Sequence, residues 1–338
     1  MKSARLHDKR DIRFEEVSMA SVPEAGQVRV KVAYAGICGS DIHNFKTGQW
    51  ITRKPSIAGH EFSGVIESAG SNVSGFKIGD RVAVDSRIYC GECQNCRSVH
   101  QHLCDKLGFI GEAIDGGFAE YITLPARLLV KCKPEARLDV AALAEPLAVA
   151  LHALAKLNAP KDSPILIVGC GPIGALCAVA ADLIDERKLL ISDINQDRQA
   201  HIFSLTGASP VDLSTFDQFN NQTLKPVRHI IDTTGNVGVI SQLISKLSGA
   251  SLALVGIGQG SFTLNPAHLV EREIALVGCH AFSTELTEAV RMLEIYPNDF
   301  AALIGPMISL EQVPAAYEQI SAGKAEGIKT MILIDAKT

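Results

Sequence analysis

Apolar and polar positions alternate along the first third of the chain. Val28–Tyr34 reads VRVKVAY, and Phe62–Ala69 and Arg81–Val84 continue the two-residue period. Glycines at 26, 36, 48, 59, 64, 70, 75 and 79 punctuate these segments. No helical period persists between them, so the spacing predicts an all-β, barrel-like domain. Near Leu138 the period changes. Leu138–Leu157 is rich in Ala and Leu at helical spacing, broken at Glu145-Pro146. Ile165–Val168 is apolar throughout, and a glycine-rich turn leads from it into an apolar helix ending near Ile184. Leu189–Ile191, His229–Asp232, Leu252–Val255 and Ile274–Val277 repeat the short buried-strand pattern. Strands alternating with helices predict a doubly wound parallel sheet with helices on both faces. The chain then returns to mixed patterning, with a helix expected at Glu285–Ile295 and a closing strand at Thr330–Ile334.

Composition narrows the classes. With 338 residues, 47% hydrophobic and 20% charged, the chain is long enough for two cores. A net charge of -5 without a basic block argues against nucleic acid and against an anionic membrane as partners. Met1–Arg13 is too charged for a signal peptide. The apolar stretch Val140–Ala155 is interrupted by Glu145, Pro146 and His152, which predicts no membrane span. Nine cysteines, four of them crowded between positions 90 and 104, suit metal binding in a reducing compartment better than a disulfide framework. A cytoplasmic location is expected.

The turn after Ile165–Val168 reads Gly169-Cys170-Gly171-Pro172-Ile173-Gly174, a G-x-G-x-x-G between a strand and a helix. Its first glycine permits the tight turn and its second lets backbone approach a pyrophosphate. The third admits close packing, and the helix N-terminus favours the phosphate charge. Asp193 closes the next strand, placed to hold both ribose hydroxyls. A carboxylate there would repel a 2′-phosphate, which favours NAD over NADP; Arg198 argues the other way. The plainer reading of Asp193 is a strand-end or capping carboxylate.

Two groups of metal-binding residue types stand in the first half. Cys90, Cys93, Cys96 and Cys104 form C-x2-C-x2-C-x7-C. Four thiolates complete a tetrahedron and mark a structural zinc. His100 and His102 lie in the same loop and read as exposed loop histidines. Cys38, His60 and Glu61 supply one sulfur, one imidazole and one carboxylate, a mixed set of the kind that leaves a position open on zinc.

The combination resembles a known family. Gly59-His60-Glu61-x-x-Gly64-x5-Gly70-x-x-Val73 is similar to the signature of the zinc-containing medium-chain alcohol and polyol dehydrogenases. The four-cysteine lobe and the glycine turn lie at that family's usual distances, so the resemblance covers essentially the whole chain. It implies a GroES-like β-barrel catalytic domain at residues 1–147, with a zinc lobe near 88–106. A Rossmann domain would follow at 148–278, and residues 279–338 would return to the first domain, with the active site in the cleft.

The resemblance also implies roles. Cys38 and His60 would bind a catalytic zinc, with Glu61 a ligand or a close neighbour of it. Glu145, in Ala144-Glu145-Pro146-Leu147, matches the glutamate of the polyol and sugar-acid branch, the sorbitol and idonate dehydrogenases. Ser40 and His43 match a proton relay. Zinc would acidify a substrate hydroxyl, its proton would leave through Ser40 and His43, and hydride would pass to NAD. Two zincs per chain, NAD, a small polyol or sugar-acid substrate and a homodimer or homotetramer are implied. The stretch Gly278-Cys279-His280-Ala281-Phe282 lacks the Arg-Tyr pair of sorbitol dehydrogenases in the narrow sense. Trp50 and His280 are candidate substrate contacts. Arg53 and Lys54 could meet an anionic substrate, or simply be solvated. A silent scaffold that kept the fold, or a zinc dehydrogenase for diols, sugar phosphates or amino alcohols, are the competing readings.

Overall fold

The alternation at Val28–Tyr34 becomes the strand Gln27–Gly36, on which Val28, Val30 and Val32 are fully buried. In the computed structural model, which describes residues 1–185, 187–219 and 225–335, this strand centres a seven-stranded sheet. Glu61–Ala69 pairs with it antiparallel, as do Tyr121–Pro125 and Lys329–Leu333. Arg81–Val84 and Leu129–Lys131 extend the sheet beyond Glu61–Ala69, and Ile304–Ser309 lies parallel to Lys329–Leu333. A smaller sheet sets Lys2–Asp8 between Asp11–Glu16 and Ser56–Ile57. Their shared core includes Phe45, Phe62, Ile110, Phe118, Leu124 and Tyr317. The C-terminal segment is thus part of the first sheet, and this brings Lys329 to the end of the strand that begins at Glu61. Met1–Glu145 together with Ser283–Thr338 forms one unit, and Pro146–Phe282 forms the other.

The first unit is not purely β, contrary to the expectation from its spacing. Gly39–Thr47 is a helix. Asp41 accepts a hydrogen bond from the Cys38 backbone N–H at 2.9 Å, and Gly48 closes the helix in the left-handed region at φ 70°. At nine residues, with only Ile42, Asn44 and Phe45 buried, the helix is too short to show a period. A second difference lies ahead of Glu145. The helices are Leu138–Ala141 and Ala144–Leu157, so the break precedes the Glu145-Pro146 pair. Pro146 sits in the first turn, where the lost N–H has no intrahelical partner to miss.

The second unit is a six-stranded parallel sheet. In space the strands run Ser209–Pro210, Leu189–Ser192, Ile165–Val168, His229–Asp232, Ser251–Leu254, Ala275–Gly278. Counted within the unit the order is 3-2-1-4-5-6, the doubly wound dinucleotide-binding order. Ile165–Val168 is buried at every position because both of its neighbours and both faces are covered. Among the described residues no helix is long and apolar enough to cross a membrane.

Candidate metal and cofactor sites

The cysteine lobe closes on itself. Cys90 and Cys96 sulfurs are 3.9 Å apart, Cys93 and Cys104 3.9 Å, and Cys90 and Cys104 3.5 Å. Four ligands at about 2.3 Å from a tetrahedral zinc stand about 3.8 Å from one another, so the spacing fits that ion. Backbone N–H groups of Glu92 and Cys93 donate to the Cys90 sulfur and bring its thiol down to about 6. Cys93 is lowered as well, by backbone N–H groups, whereas burial pushes the Cys96 thiol up to about 12, so without a metal the lobe favours thiolates at Cys90 and Cys93 and a thiol at Cys96. His100 is exposed as expected, but His102 is not: it is buried at 6% exposure, its ring 5.9 Å from that of His100.

Cys38, His60 and Glu61 bring one donor atom each to within 4.8 Å of the others. Cys38 caps the helix Gly39–Thr47, and His60 precedes the strand Glu61–Ala69. The turn between needs glycine, because Gly59 has φ 92° and a Cβ there would stand 2.2 Å from the Phe118 ring. Asp41 Oδ1 lies 3.4 Å from His60 Nδ1, while Nε2 is 3.4 Å from the Ser40 hydroxyl. Burial works against a charged His60, yet Asp41 and then Cys38 raise its pKa well above the ordinary value. A carboxylate on Nδ1 that leaves Nε2 directed elsewhere is the usual support for a metal-binding histidine.

Glu61 has a partner that local spacing did not reveal. Its Oε2 is ion-paired with Nζ of Lys329, and Lys329 also donates to the Ile37 carbonyl at 2.9 Å. Both side chains are about as buried as side chains become, at 1% and 2% exposure. Burial opposes the lysine charge, but Glu61 and Cys38 more than offset it and its pKa is raised. Gly36 makes room for the pair. A Cβ there would stand 2.5 Å from Glu61 Oε2 and 2.7 Å from Lys329 Cε.

Glu145 lies outside the three-residue set but inside its field. Its Oε1 accepts from the Ser86 hydroxyl at 2.8 Å. Burial pushes its carboxyl up to about 7, with His60 pulling down and Glu61 pushing further up. Glu112 is also raised to about 7, by burial, with His60 lowering it and Asp41 raising it. The Tyr317 hydroxyl is buried with no hydrogen bond among the described residues, and burial together with Asp41, Cys38 and Glu61 holds its pKa well above the ordinary value. Lys329, Ser86, Glu112 and Tyr317 carry no sequence motif.

His43 lies one turn after Ser40 on the same helix, but its Nε2 meets Gln49 Oε1 at 2.9 Å and its ring packs on Trp50 at 4.8 Å. Trp50 is thus a neighbour of the histidine for which the resemblance implies a relay role. Arg53 pairs with Asp115 at 3.4 Å and Lys54 with Asp8 at 2.7 Å, so each cation has a carboxylate partner within its own unit. His280 is exposed beyond the strand Ala275–Gly278 in the second unit.

The three fingerprint glycines do different work. Gly169 has φ 97°, and Gly174 packs so closely that a Cβ would stand 1.8 Å from the Gly169 carbonyl oxygen. Among the described residues, no atom lies within 4 Å of where a Cβ on Gly171 would be. Packing within the chain does not demand a glycine there, and the open space is what a pyrophosphate approaching the backbone would need. Pro172 opens the helix Pro172–Ile184, with Ile173 and Gly174 in its first turn. Asp193 accepts from the N–H groups of Cys170 and Asn195, at 2.5 and 2.7 Å, which ties its carboxylate to the glycine turn. Arg198 is close enough for its charge to act on Cys170.

A β unit with such a lobe and mixed donor set, in a chain that also carries a doubly wound dinucleotide-binding sheet, has the architecture of the medium-chain dehydrogenases. Residues 24–135 match the alcohol dehydrogenase GroES-like domain. Sorbitol dehydrogenase of Bacillus subtilis is 30% identical over 98% of this chain and 97% of its own. L-idonate 5-dehydrogenase of Vitis vinifera is 29% identical over 90% and 87%. A protein of Sinorhizobium meliloti, provisionally named a zinc-binding dehydrogenase and bound to NADP, superposes with a TM-score of 0.91 at 25% identity, covering 98% of each chain. The chain belongs to the zinc-containing medium-chain alcohol and polyol dehydrogenase family.

Proposed function

We propose that this chain transfers hydride from a secondary alcohol of a sugar alcohol or sugar acid to NAD, giving a ketose or keto acid, with zinc as its catalytic metal. The observation that carries the reading is the meeting of Cys38, His60 and Glu61 within 4.8 Å, in a chain whose relatives include sorbitol and L-idonate dehydrogenases. Cys38 and His60 hold the metal, with Glu145 or Glu61 as the carboxylate. Zinc bound there supplies Lewis acidity that lowers the pKa of a substrate hydroxyl. A second zinc in the four-thiol lobe is structural.

The remaining work falls to side chains. Asp41 fixes the His60 ring through Nδ1, so that Nε2 and Ser40 Oγ serve the same space. Ser40 takes the hydroxyl proton and His43 passes it outward. Lys329 holds Glu61 by its Oε2, and Ser86 holds Glu145 by its Oε1. Gly171 and the N-terminus of the helix Pro172–Ile184 receive the pyrophosphate. Asp193 receives the ribose hydroxyls and favours NAD, with Arg198 as the competing influence. The protein works as a homodimer or homotetramer.

The test is reduction of NAD and of NADP, followed at 340 nm, across a panel of polyols and aldonic acids. Turnover of one such compound with NAD is expected. No turnover across the panel, with simple alcohols oxidised well, would falsify the substrate class.

A further inference from the structure

We infer that Glu112 determines substrate specificity: its carboxylate receives a hydroxyl of an uncharged polyol and turns away aldonates and sugar phosphates. The inference deepens the proposed function and rests on it.

Glu112 is carried to the site by backbone. Gly117 N–H donates to the Gly59 carbonyl at 2.9 Å and Gly116 N–H to that of Ile57 at 2.8 Å. A Cβ on Gly111 would stand 2.9 Å from Gly59 N, so the turn bearing Glu112 lies directly on the turn bearing His60. From the other side, the Thr52 hydroxyl donates to the Glu112 carbonyl at 2.7 Å. That bond ties the turn to the loop that also carries Trp50. The Trp50 N–H in turn donates to Asn44 of the helix that bears Ser40 and His43. Glu112 is therefore held between the His60 turn and the Trp50 loop, close enough to His60 and Asp41 for their charges to act on it.

The carboxylates around it are all engaged. Asp41 serves Cys38 and His60, Glu61 serves Lys329, and Glu145 serves Ser86. Asp115 takes the Ile57 N–H and Arg53. The Glu112 carboxylate, half-buried, has no hydrogen bond or ion pair among the described residues. A half-buried acceptor left unpaired is costly unless a ligand supplies the donor. A polyol offers hydroxyl donors on the carbons next to the one oxidised. An aldonate or phosphate instead brings a second anion, and Arg53 and Lys54 are already paired with Asp115 and Asp8. Such a built-in repulsion is how a site rejects one class while accepting another.

The experiment compares kcat/KM at about pH 9, where a carboxyl raised to about 7 is charged, for a polyol and the aldonate of the same carbon skeleton, in wild type, Glu112→Gln and Glu112→Ala. Wild type is expected to favour the polyol by about tenfold or more. Glu112→Gln keeps an acceptor and loses the charge. It should lower polyol kcat/KM less than Glu112→Ala does and narrow the ratio about tenfold, through a lower aldonate KM. Glu112→Ala loses the acceptor too and should lower polyol kcat/KM by about tenfold. Zinc content and Tm should match wild type in both. A wild type that prefers the aldonate, or a ratio unchanged in Glu112→Gln, overturns the inference and leaves the dehydrogenase reading standing. Turnover of neither compound, with simple alcohols oxidised, overturns both.

Discussion

Lys329 and Glu61 form a buried ion pair, with Gly36 clearing the space that holds them. Two charges in that setting contribute little net stability together, but either one alone is an uncompensated buried charge. Lys329→Met should therefore destabilise by about 3 kcal/mol or more in urea unfolding, and Lys329→Met/Glu61→Gln should recover a large part of that loss. Equal losses in the single and double variants would show that the pair is not energetically coupled.

The reason this pair was not legible is topological. Cys90 to Cys104 and Gly169 to Gly174 are local patterns, and local spacing carries their chemistry. Cys38 and His60 are further apart, yet each sits in a short run that marks it. Lys329 meets Glu61 only because the strand Lys329–Leu333 pairs with Gln27–Gly36, which pairs in turn with Glu61–Ala69. No periodicity reports that register. Helix Gly39–Thr47 is hard to read for the opposite reason: it is local but too short, with glycines at both ends. The doubly wound half was easier to read, because strands buried on both faces appear as continuous apolar runs.

Glu145 makes the metal-free protein pH-sensitive. Its pKa rises from 4.5 to about 7 on folding, so the folded chain binds this proton more tightly than the unfolded chain does. The contribution is full below the unfolded value and is lost as pH rises through the folded one, a span worth about 3 kcal/mol. Metal-stripped protein should lose Tm between about pH 5 and pH 7.5, and Glu145→Gln should reduce that slope, leaving the part that belongs to Glu112, whose carboxyl is also raised to about 7. Identical slopes in the two proteins would contradict the assignment.

The two kinds of glycine in the fingerprint should separate experimentally. Gly174→Ala places a Cβ against the Gly169 carbonyl and should lower Tm by several degrees. Gly171→Ala meets no atom of the described residues, so Tm should hold while the KM for NAD rises about tenfold. A Gly171→Ala protein with unchanged KM would remove the pyrophosphate from that position.

Replacing a lobe cysteine should cost metal without touching the other set. Cys93→Ser is expected to lose one of the two zincs and several degrees of Tm, with catalysis persisting at temperatures where the protein stays folded. Loss of both metals at once would mean that the two sets are not independent.

The central claim is that catalysis runs on a metal held by Cys38 and His60. The most direct test measures zinc content and NAD reduction on the same preparations of wild type and Cys38→Ser, with a polyol that wild type oxidises. Two zincs and turnover in wild type, against one zinc and no turnover in Cys38→Ser, is the predicted result. Undiminished turnover in Cys38→Ser, or an active wild type carrying zinc only in the four-thiol lobe, would contradict it.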